Sequence, residues 1–370
     1  MSYDVAIVGA GIVGAACAAR LSASGLRVLV LESHGIATGT TATGMGHIVL
    51  MDDSDAQMAL TGYSRKLWNE LARELPADAE YDRCGTIWVA ADEDEMAEVC
   101  RKRPLYAKHG NDAEVLDERS LRELEPNLRE GLAGGLLVKD DSVVYQLCAT
   151  KFLLDRSTRY GAKIQTGARV AKISDGGITL ENGEAIAAGM IINAAGTAAT
   201  ELTPQLKIVR RKGHLAITER YPSFVRHQLV ELGYLKSAHG SDADSVAFNI
   251  QPRSTGQILL GSSRQFGVDS GEIDFDILRR MTTRAFEYMP DLKTLSTVRV
   301  WTGFRPATPD NLPYIGKITG YENVYAACGH EGLGITTSLA TADLLTSAIL
   351  GKQPAIPIGP YLPSRNITEH

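Results

Sequence analysis

The sequence predicts an α/β domain on a parallel sheet, interrupted by an α+β region made mostly of antiparallel strands. Three observations carry this expectation. An apolar strand, a glycine-rich turn, a small-residue helix and a second apolar strand follow one another within the first 32 residues. Strand-like runs separated by polar turns fill about 208–300. A further apolar run at 190–196 reads as a return strand into the first sheet.

At 370 residues the chain is long enough for two to three domains. Its net charge of −6 argues against general nucleic-acid binding, which draws on an excess of Lys and Arg. The five cysteines are scattered and form no CxxC pair, which points to reduced thiols and away from an iron–sulfur cluster or structural zinc. The opening residues lack a basic leader region, and no run of 18 apolar residues occurs. The expected location is cytoplasmic, with peripheral attachment to a membrane electron-transfer chain left open.

The elements follow in order. Residues 4–8 read as a buried strand, Gly9-Ala10-Gly11-Ile12-Val13-Gly14 as the turn, 15–24 as a helix closed by Gly25, and 27–31 as a strand apolar on both faces. Gly9 permits the tight turn, Gly11 lets backbone N–H groups approach a pyrophosphate, and Gly14 lets the helix pack against the strand. Ile12 and Val13 belong to the same cradle. Glu32, with Ser33 beside it, ends the second strand where an adenosine ribose would offer hydroxyls. The motif alone also occurs in turns without a ligand, and the ordered context is what favours a dinucleotide. NAD and FAD are not separated by this unit. Downstream, Gly39-Thr40-Thr41-Ala42-Thr43-Gly44-Met45-Gly46 offers hydroxyls to phosphate and bare backbone to a flat ring.

In the middle of the chain 64–75 and 117–124 read as helices, 84–90 as a strand entering a second domain, and 148–160 as a helix. Residues 163–166, 169–173 and 178–180 read as an antiparallel meander, with turns at Asp175-Gly176-Gly177 and Asn182-Gly183. Residues 190–196 read as a return strand into the first sheet.

The C-terminal block holds Gly303-Phe304-Arg305-Pro306, Thr308-Pro309-Asp310 and Gly329-His330-Glu331-Gly332-Leu333-Gly334-Ile335-Thr336. With 4–32, 39–46, Val170 and 191–196, these blocks give the chain a resemblance to the glycine oxidase, sarcosine oxidase and D-amino acid oxidase group of flavoproteins. Within that group the Gly329–Thr336 form is most similar to D-hydroxyproline dehydrogenase and to the FAD subunits of hydrogen cyanide synthase and opine oxidase. The resemblance implies a Rossmann-like FAD-binding domain of 1–82, 142–207 and 301–370, with a mostly antiparallel substrate-binding domain of 83–141 and 208–300 inserted. It implies Val170 near the adenine, Ala195 and Gly196 near the pyrophosphate, and Gly332, Leu333, Gly334, Ile335 and Thr336 near the flavin pyrimidine. The block Ala307-Thr308-Pro309-Asp310 offers no cysteine, so the resemblance implies noncovalent FAD.

For Arg305 it implies a bidentate grip on the substrate carboxylate; the alternative is a structural ion pair with an acid such as Asp310. His330, Glu331 and His47 are candidates for contact with flavin or substrate, each with a plain packing or capping alternative. Phe248, Asn249, Gln251 and Arg253 fall on a strand that faces the flavin in the family, and Phe248, though a candidate, reads as core rather than as substrate wall. Glycine oxidase carries an arginine where this chain has Gly332, which argues against glycine as substrate. The implied activity is oxidation of a small amino or imino acid, for instance cis-4-hydroxy-D-proline, by hydride transfer from the α-carbon to flavin N5 to give an imine. Two other readings stay open: an NAD-dependent dehydrogenase, and an FAD-carrying subunit of a multi-chain amine dehydrogenase. The electron acceptor (oxygen, a quinone or a partner redox subunit) and a homo- or hetero-oligomeric state are likewise open.

Overall fold

The computed structural model describes residues 3–233 and 244–366. A six-stranded sheet runs in the order Tyr314–Lys317, Val324–Cys328, Ala188–Asn193, Tyr3–Val8, Val28–Glu32, Lys163–Thr166. All neighbours are parallel except the edge pair Tyr314–Lys317 and Val324–Cys328. Alternation along the central strand sorts its side chains to two faces. Val5 and Ile7 pack with the helices Ile12–Ala23, Gln146–Arg159 and Gly334–Ile349. Ala6 and Val8 pack with a three-stranded meander of Val170–Ser174, Gly177–Leu180 and Ala185–Ile186.

The second sheet has eight strands, in the order Thr297–Ala307, Val209–Arg220, Gln257–Arg264, Ser245–Pro252, Gln228–Glu231, Thr86–Ala90, Gly134–Val138, Glu114–Asp117. It is antiparallel except where Gln228–Glu231 meets Thr86–Ala90. One face carries Ile87, Leu229, Phe248 and Ile250 against the helix Phe275–Tyr288. The other carries Trp88 and Val230 against Val49, Leu50 and Met51, with the helix Glu93–Lys108 packed beside them.

Several expectations are corrected. Lys163–Thr166 is no part of the meander; it pairs in parallel with Val28–Glu32 as an edge of the six-stranded sheet, and its mostly exposed residues gave no burial pattern to say which sheet it would join. The helix expected at 64–75 spans Asp55–Leu71, because Ser54 accepts the Gln57 amide and starts it earlier. The first helix likewise starts at Ile12 rather than 15. The region 208–300 contains the helix Phe275–Tyr288, capped by Asp274. Glu93–Lys108, Glu114–Asp117 and Gly134–Val138 were not anticipated in 83–141. The strand Thr297–Ala307 crosses the boundary expected at 301, since it pairs residue by residue with Val209–Arg220 from Val209↔Ala307 to Thr218↔Thr297. Its far end therefore brings Arg305 to the seam between the sheets.

Candidate active site

A cavity of about 780 Å³ runs along that seam, within the size range of ligand sites. Its wall includes Glu32, Ser33, Ala168 and Val170, where the Ala168 amide donates to the Glu32 carbonyl, together with Gly9, Gly11, Ile12, Val13, Thr40, Thr41, Ala195 and Gly196. The wall also includes Gly44, Met45, His47, Arg305, His330, Glu331, Gly332, Leu333, Gly334 and Ile335, and residues of the open face of the large sheet.

The glycines differ in what they do. Gly9 has φ +107, and a Cβ there would lie 2.5 Å from the Ala194 carbonyl oxygen. A Cβ on Gly14 would lie 2.0 Å from the Gly9 carbonyl oxygen, so Gly14 sits inside the strand–helix contact and not in the cavity wall. Gly11 has only the Thr41 hydroxyl within reach, at 3.1 Å, and otherwise faces the cavity. Glu32 accepts the Ala10 amide at 2.9 Å through Oε2 and the His34 amide at 2.9 Å through Oε1, which fixes its carboxylate at the strand end.

Three further cofactor candidates stand outside the wall. Gly46 has φ +82 and a Cβ there would meet the Val144 carbonyl oxygen at 2.1 Å, so it serves the packing of that loop. Ala42 lies within the short 3-10 turn Thr40–Thr43 and does not reach the cavity. Thr336 is fully buried and donates to the His47 carbonyl at 3.0 Å. The hydroxyls expected to meet phosphate are engaged by backbone: Thr40 donates to the Phe304 carbonyl, Thr43 to the Thr40 carbonyl, and Thr41 accepts from the Ile12 amide.

Phe248 is corrected as a site residue. It is fully buried on the far face of the large sheet, stacked on Tyr288 with ring centroids 4.5 Å apart. Its neighbour Asn249 points the other way and lines the cavity. Gln251 donates to the Met45 carbonyl, and Arg253 pairs with Glu80 at 2.9 Å, so both hold loops in place.

Arg305 lies flat over Gly213, where a Cβ would meet Nη2 at 2.9 Å and Nη1 at 3.0 Å. Nη1 donates to the Ser263 carbonyl at 2.9 Å, and the Ser263 hydroxyl is in turn bonded to buried His214. Among the described residues no carboxylate lies within 4.0 Å of this guanidinium; Asp310, the acid considered as a structural partner, makes a two-point pair with Arg365 at 2.7 and 2.8 Å instead. Glu331 is in the left-handed region at φ 51. Burial raises its carboxyl, but the nearby Arg264, Arg305 and Arg211 guanidinium groups outweigh this and hold it below its ordinary value.

His47 donates from Nε2 to the Gly332 carbonyl at 3.2 Å. His330 bonds Thr337 Oγ1 through Nδ1 at 2.9 Å; that hydroxyl spends its own proton on the Leu333 carbonyl, so Nδ1 donates and Nε2 is left as a buried acceptor without a partner. Burial pushes His47 down to about 4 and His330 to about 3. An unfolded histidine titrates near 6.5, so between about pH 4 and 6.5 the unfolded chain holds more protons and stability falls as pH falls. We expect Tm to drop from pH 6.5 to 4.5 and the drop to shrink in His330→Asn; an unchanged profile in the variant would contradict the buried neutral imidazole.

These features fit FAD. The bare Gly11 backbone at a helix start, the carboxylate anchored at the strand end, the orphaned His330 acceptor and the N-terminus of Gly334–Ile349 line one continuous space. Glu32→Ala is expected to weaken FAD by about 1.5 to 3 kcal/mol, as for a hydrogen bond to a charged group. Equilibrium titration of the apoprotein with FAD measures it, and unchanged affinity would remove Glu32 from the ribose site.

Residues missed in the sequence include Trp88, Gln228, Val230, Ser262 and Arg264, all in the cavity wall. Only strand pairing brings them together. No helix among the described residues is long and apolar enough to cross a membrane, and no metal-ligating cluster occurs among them.

The profile of the family described as FAD dependent oxidoreductase (DAO) matches residues 4–348. Hydrogen cyanide synthase subunit HcnC of Pseudomonas aeruginosa is 25% identical over 98% of this chain and 96% of its own. Glycine oxidase of Geobacillus kaustophilus is 26% identical over 99% and 97%. The crystal structure of that glycine oxidase superposes with a TM-score of 0.89 at 25% identity, covering 99% of this chain and 100% of the other. L-proline dehydrogenase from P. horikoshii shares the fold, with a TM-score of 0.89 at 22% identity over 98% and 97%.

Proposed function

The chain belongs to the family of FAD-dependent oxidoreductases, and from that premise we propose that it oxidises the Cα–N bond of a small amino or imino acid to an imine. One observation carries the substrate class. The Arg305 guanidinium is held in the cavity wall by the Ser263 carbonyl, with no protein carboxylate within 4.0 Å among the described residues. A planar fork placed in this way suits a ligand carboxylate. The name of one relative, glycine oxidase, agrees with a small amino-acid substrate.

Bound FAD supplies the two-electron oxidant. The chain supplies orientation and charge. Arg305 anchors the carboxylate, and Ser263 and Gly213 keep the guanidinium flat. His47 and His330 stay neutral at neutral pH and so add no competing positive charge. The N-terminus of Gly334–Ile349 would favour negative charge on a cofactor group bound beside it. No side chain is required as a base, because a neutral substrate nitrogen can drive the oxidation.

The proposal includes the division into a cofactor domain (1–82, 142–207 and the C-terminal region) and a substrate domain. It also names a cyclic or D-configured amino acid such as cis-4-hydroxy-D-proline as the first substrate to assay. A second reading, supported by the subunit relatives, is that the electrons leave through partner chains. Anaerobic bleaching of the FAD-loaded chain by D- and L-amino acids, N-methylglycine and both hydroxyproline epimers tests the proposal. Bleaching by a member of the panel without partner chains supports direct oxidation; no bleaching by any of them would overturn it.

A further inference from the structure

The open face of the large sheet forms a tray whose composition changes along its length. Trp88 pairs in register with Val230, Val230 with Asn249, and Asn249 with Gly261, so these four positions form one row on one face. Trp88, Val230 and Asn249 line the cavity. Beyond the row, Thr86 pairs with Gln228, and the Gln228 amide donates to the Thr86 hydroxyl at 3.2 Å and the Ser142 carbonyl at 3.0 Å.

The apolar end is continuous. Trp88, Val230, Val49 and Met51 belong to one packed cluster, and Leu333 packs against it. Leu333 follows Gly332, where a Cβ would lie 3.5 Å from Arg305 Nε, so the apolar wall begins next to the guanidinium. Arg305 is tied to Ser263 on the strand Gln257–Arg264. Two strand spacings separate that strand from Val230 and three from Trp88, or roughly 10 and 14 Å. Glycine, with its nitrogen only two bonds of about 1.5 Å from the carboxyl carbon, would leave most of this length unfilled. An acidic side chain extended along the row from Asn249 to Trp88 would place a charge against Trp88, Val230 and Leu333; the further arginines that the large sheet gives the wall, Arg210 and Arg264, belong to the other strands Val209–Arg220 and Gln257–Arg264.

We propose that the substrate held by Arg305 carries an apolar side chain or ring of about three or more heavy atoms, received by a subsite of Trp88, Val230 and Leu333 with Val49 and Met51. Asn249 stands between the two ends of the tray and meets the middle of the substrate. The assignment rests on the amino-acid reading above and narrows it.

The test uses the FAD-loaded protein and the perturbation of its visible absorption by straight-chain carboxylates from acetate to pentanoate. Each buried methylene should tighten binding about fourfold, for roughly 60-fold across the series. Acetate and pentanoate binding within twofold of each other, or succinate binding more tightly than pentanoate, would overturn the subsite. Trp88→Ala, with its FAD content retained, should reduce the pentanoate-to-acetate ratio about tenfold, and Val230→Ala serves the same purpose if Trp88→Ala does not fold. Amino-acid bleaching separates this inference from the reading beneath it. If amino acids bleach the flavin but glycine does so as efficiently as norvaline, the subsite falls and the oxidation stands. If carboxylates show the chain-length effect but no amino acid bleaches, the subsite stands and the oxidation falls.

Discussion

Gly11→Val is expected to yield folded protein that purifies without colour, whereas Gly14→Ala is expected not to fold. The two glycines belong to one motif and differ in what surrounds them. A Cβ on Gly11 meets only the Thr41 hydroxyl at 3.1 Å and projects into the cavity, and its backbone at φ −72 and ψ 177 is open to any residue. Valine there fills the space in which pyrophosphate would approach the amides at the start of Ile12–Ala23. A Cβ on Gly14 meets the Gly9 carbonyl oxygen at 2.0 Å and its carbon at 3.1 Å, which only separation of helix from strand can relieve. Helix Ile12–Ala23 packs on both other helices of that layer, so the displacement would spread through the core. Circular dichroism and FAD absorbance decide the matter. Normal FAD content in folded Gly11→Val would remove the cradle from this motif, and a stable yellow Gly14→Ala would contradict the close packing.

Arg305→Ala should raise the half-saturating substrate concentration by about 30- to 5,000-fold, the equivalent of about 2 to 5 kcal/mol for leaving a desolvated charge without its partner. Arg305→Lys keeps the charge and loses the planar fork, so it should be impaired to a lesser degree. FAD content should stay near that of the unchanged protein, because Arg305 is held by Ser263 and Gly213 in the large sheet, apart from the glycine cradle. The structure sharpens the contrast with a merely structural arginine. Asp310 is already paired with Arg365, so no ion pair with Asp310 is lost on truncation. Half-saturation of bleaching within twofold of the unchanged protein, about 0.4 kcal/mol, would refute the carboxylate role.

The N-terminal unit was legible because its information is local. Strand, turn, helix, strand and terminal acid lie within 32 residues, and each glycine follows from how close two backbones must come. The same holds for the return strand Ala188–Asn193 and the helix Gly334–Ile349, whose small-residue character survives in any context. Lys163–Thr166 is the strand its residues predict, yet it pairs with Val28–Glu32 and not with the meander. Its residues are consistent with either partner, and only the Val28–Glu32 edge decides between them.

Phe248 and Asn249 show the limit within a single strand. Successive side chains point to opposite faces, and a one-residue change of register exchanges them. Which of the two meets the cavity depends on the face taken by the helix Phe275–Tyr288, which the local pattern did not announce. The Thr86–Gln228 and Trp88–Val230 pairs join strands 142 positions apart along the chain. The sequence by itself carried the strand–turn–helix unit suited to a dinucleotide, since its residues lie a few positions apart, while FAD and the proposed role of Arg305 rested on blocks spread along the chain that resemble one family. The tertiary structure alone decided which face of the large sheet lines the cavity and paired Asp310 with Arg365 instead of Arg305, because both depend on which distant strands pair and on which face each side chain emerges.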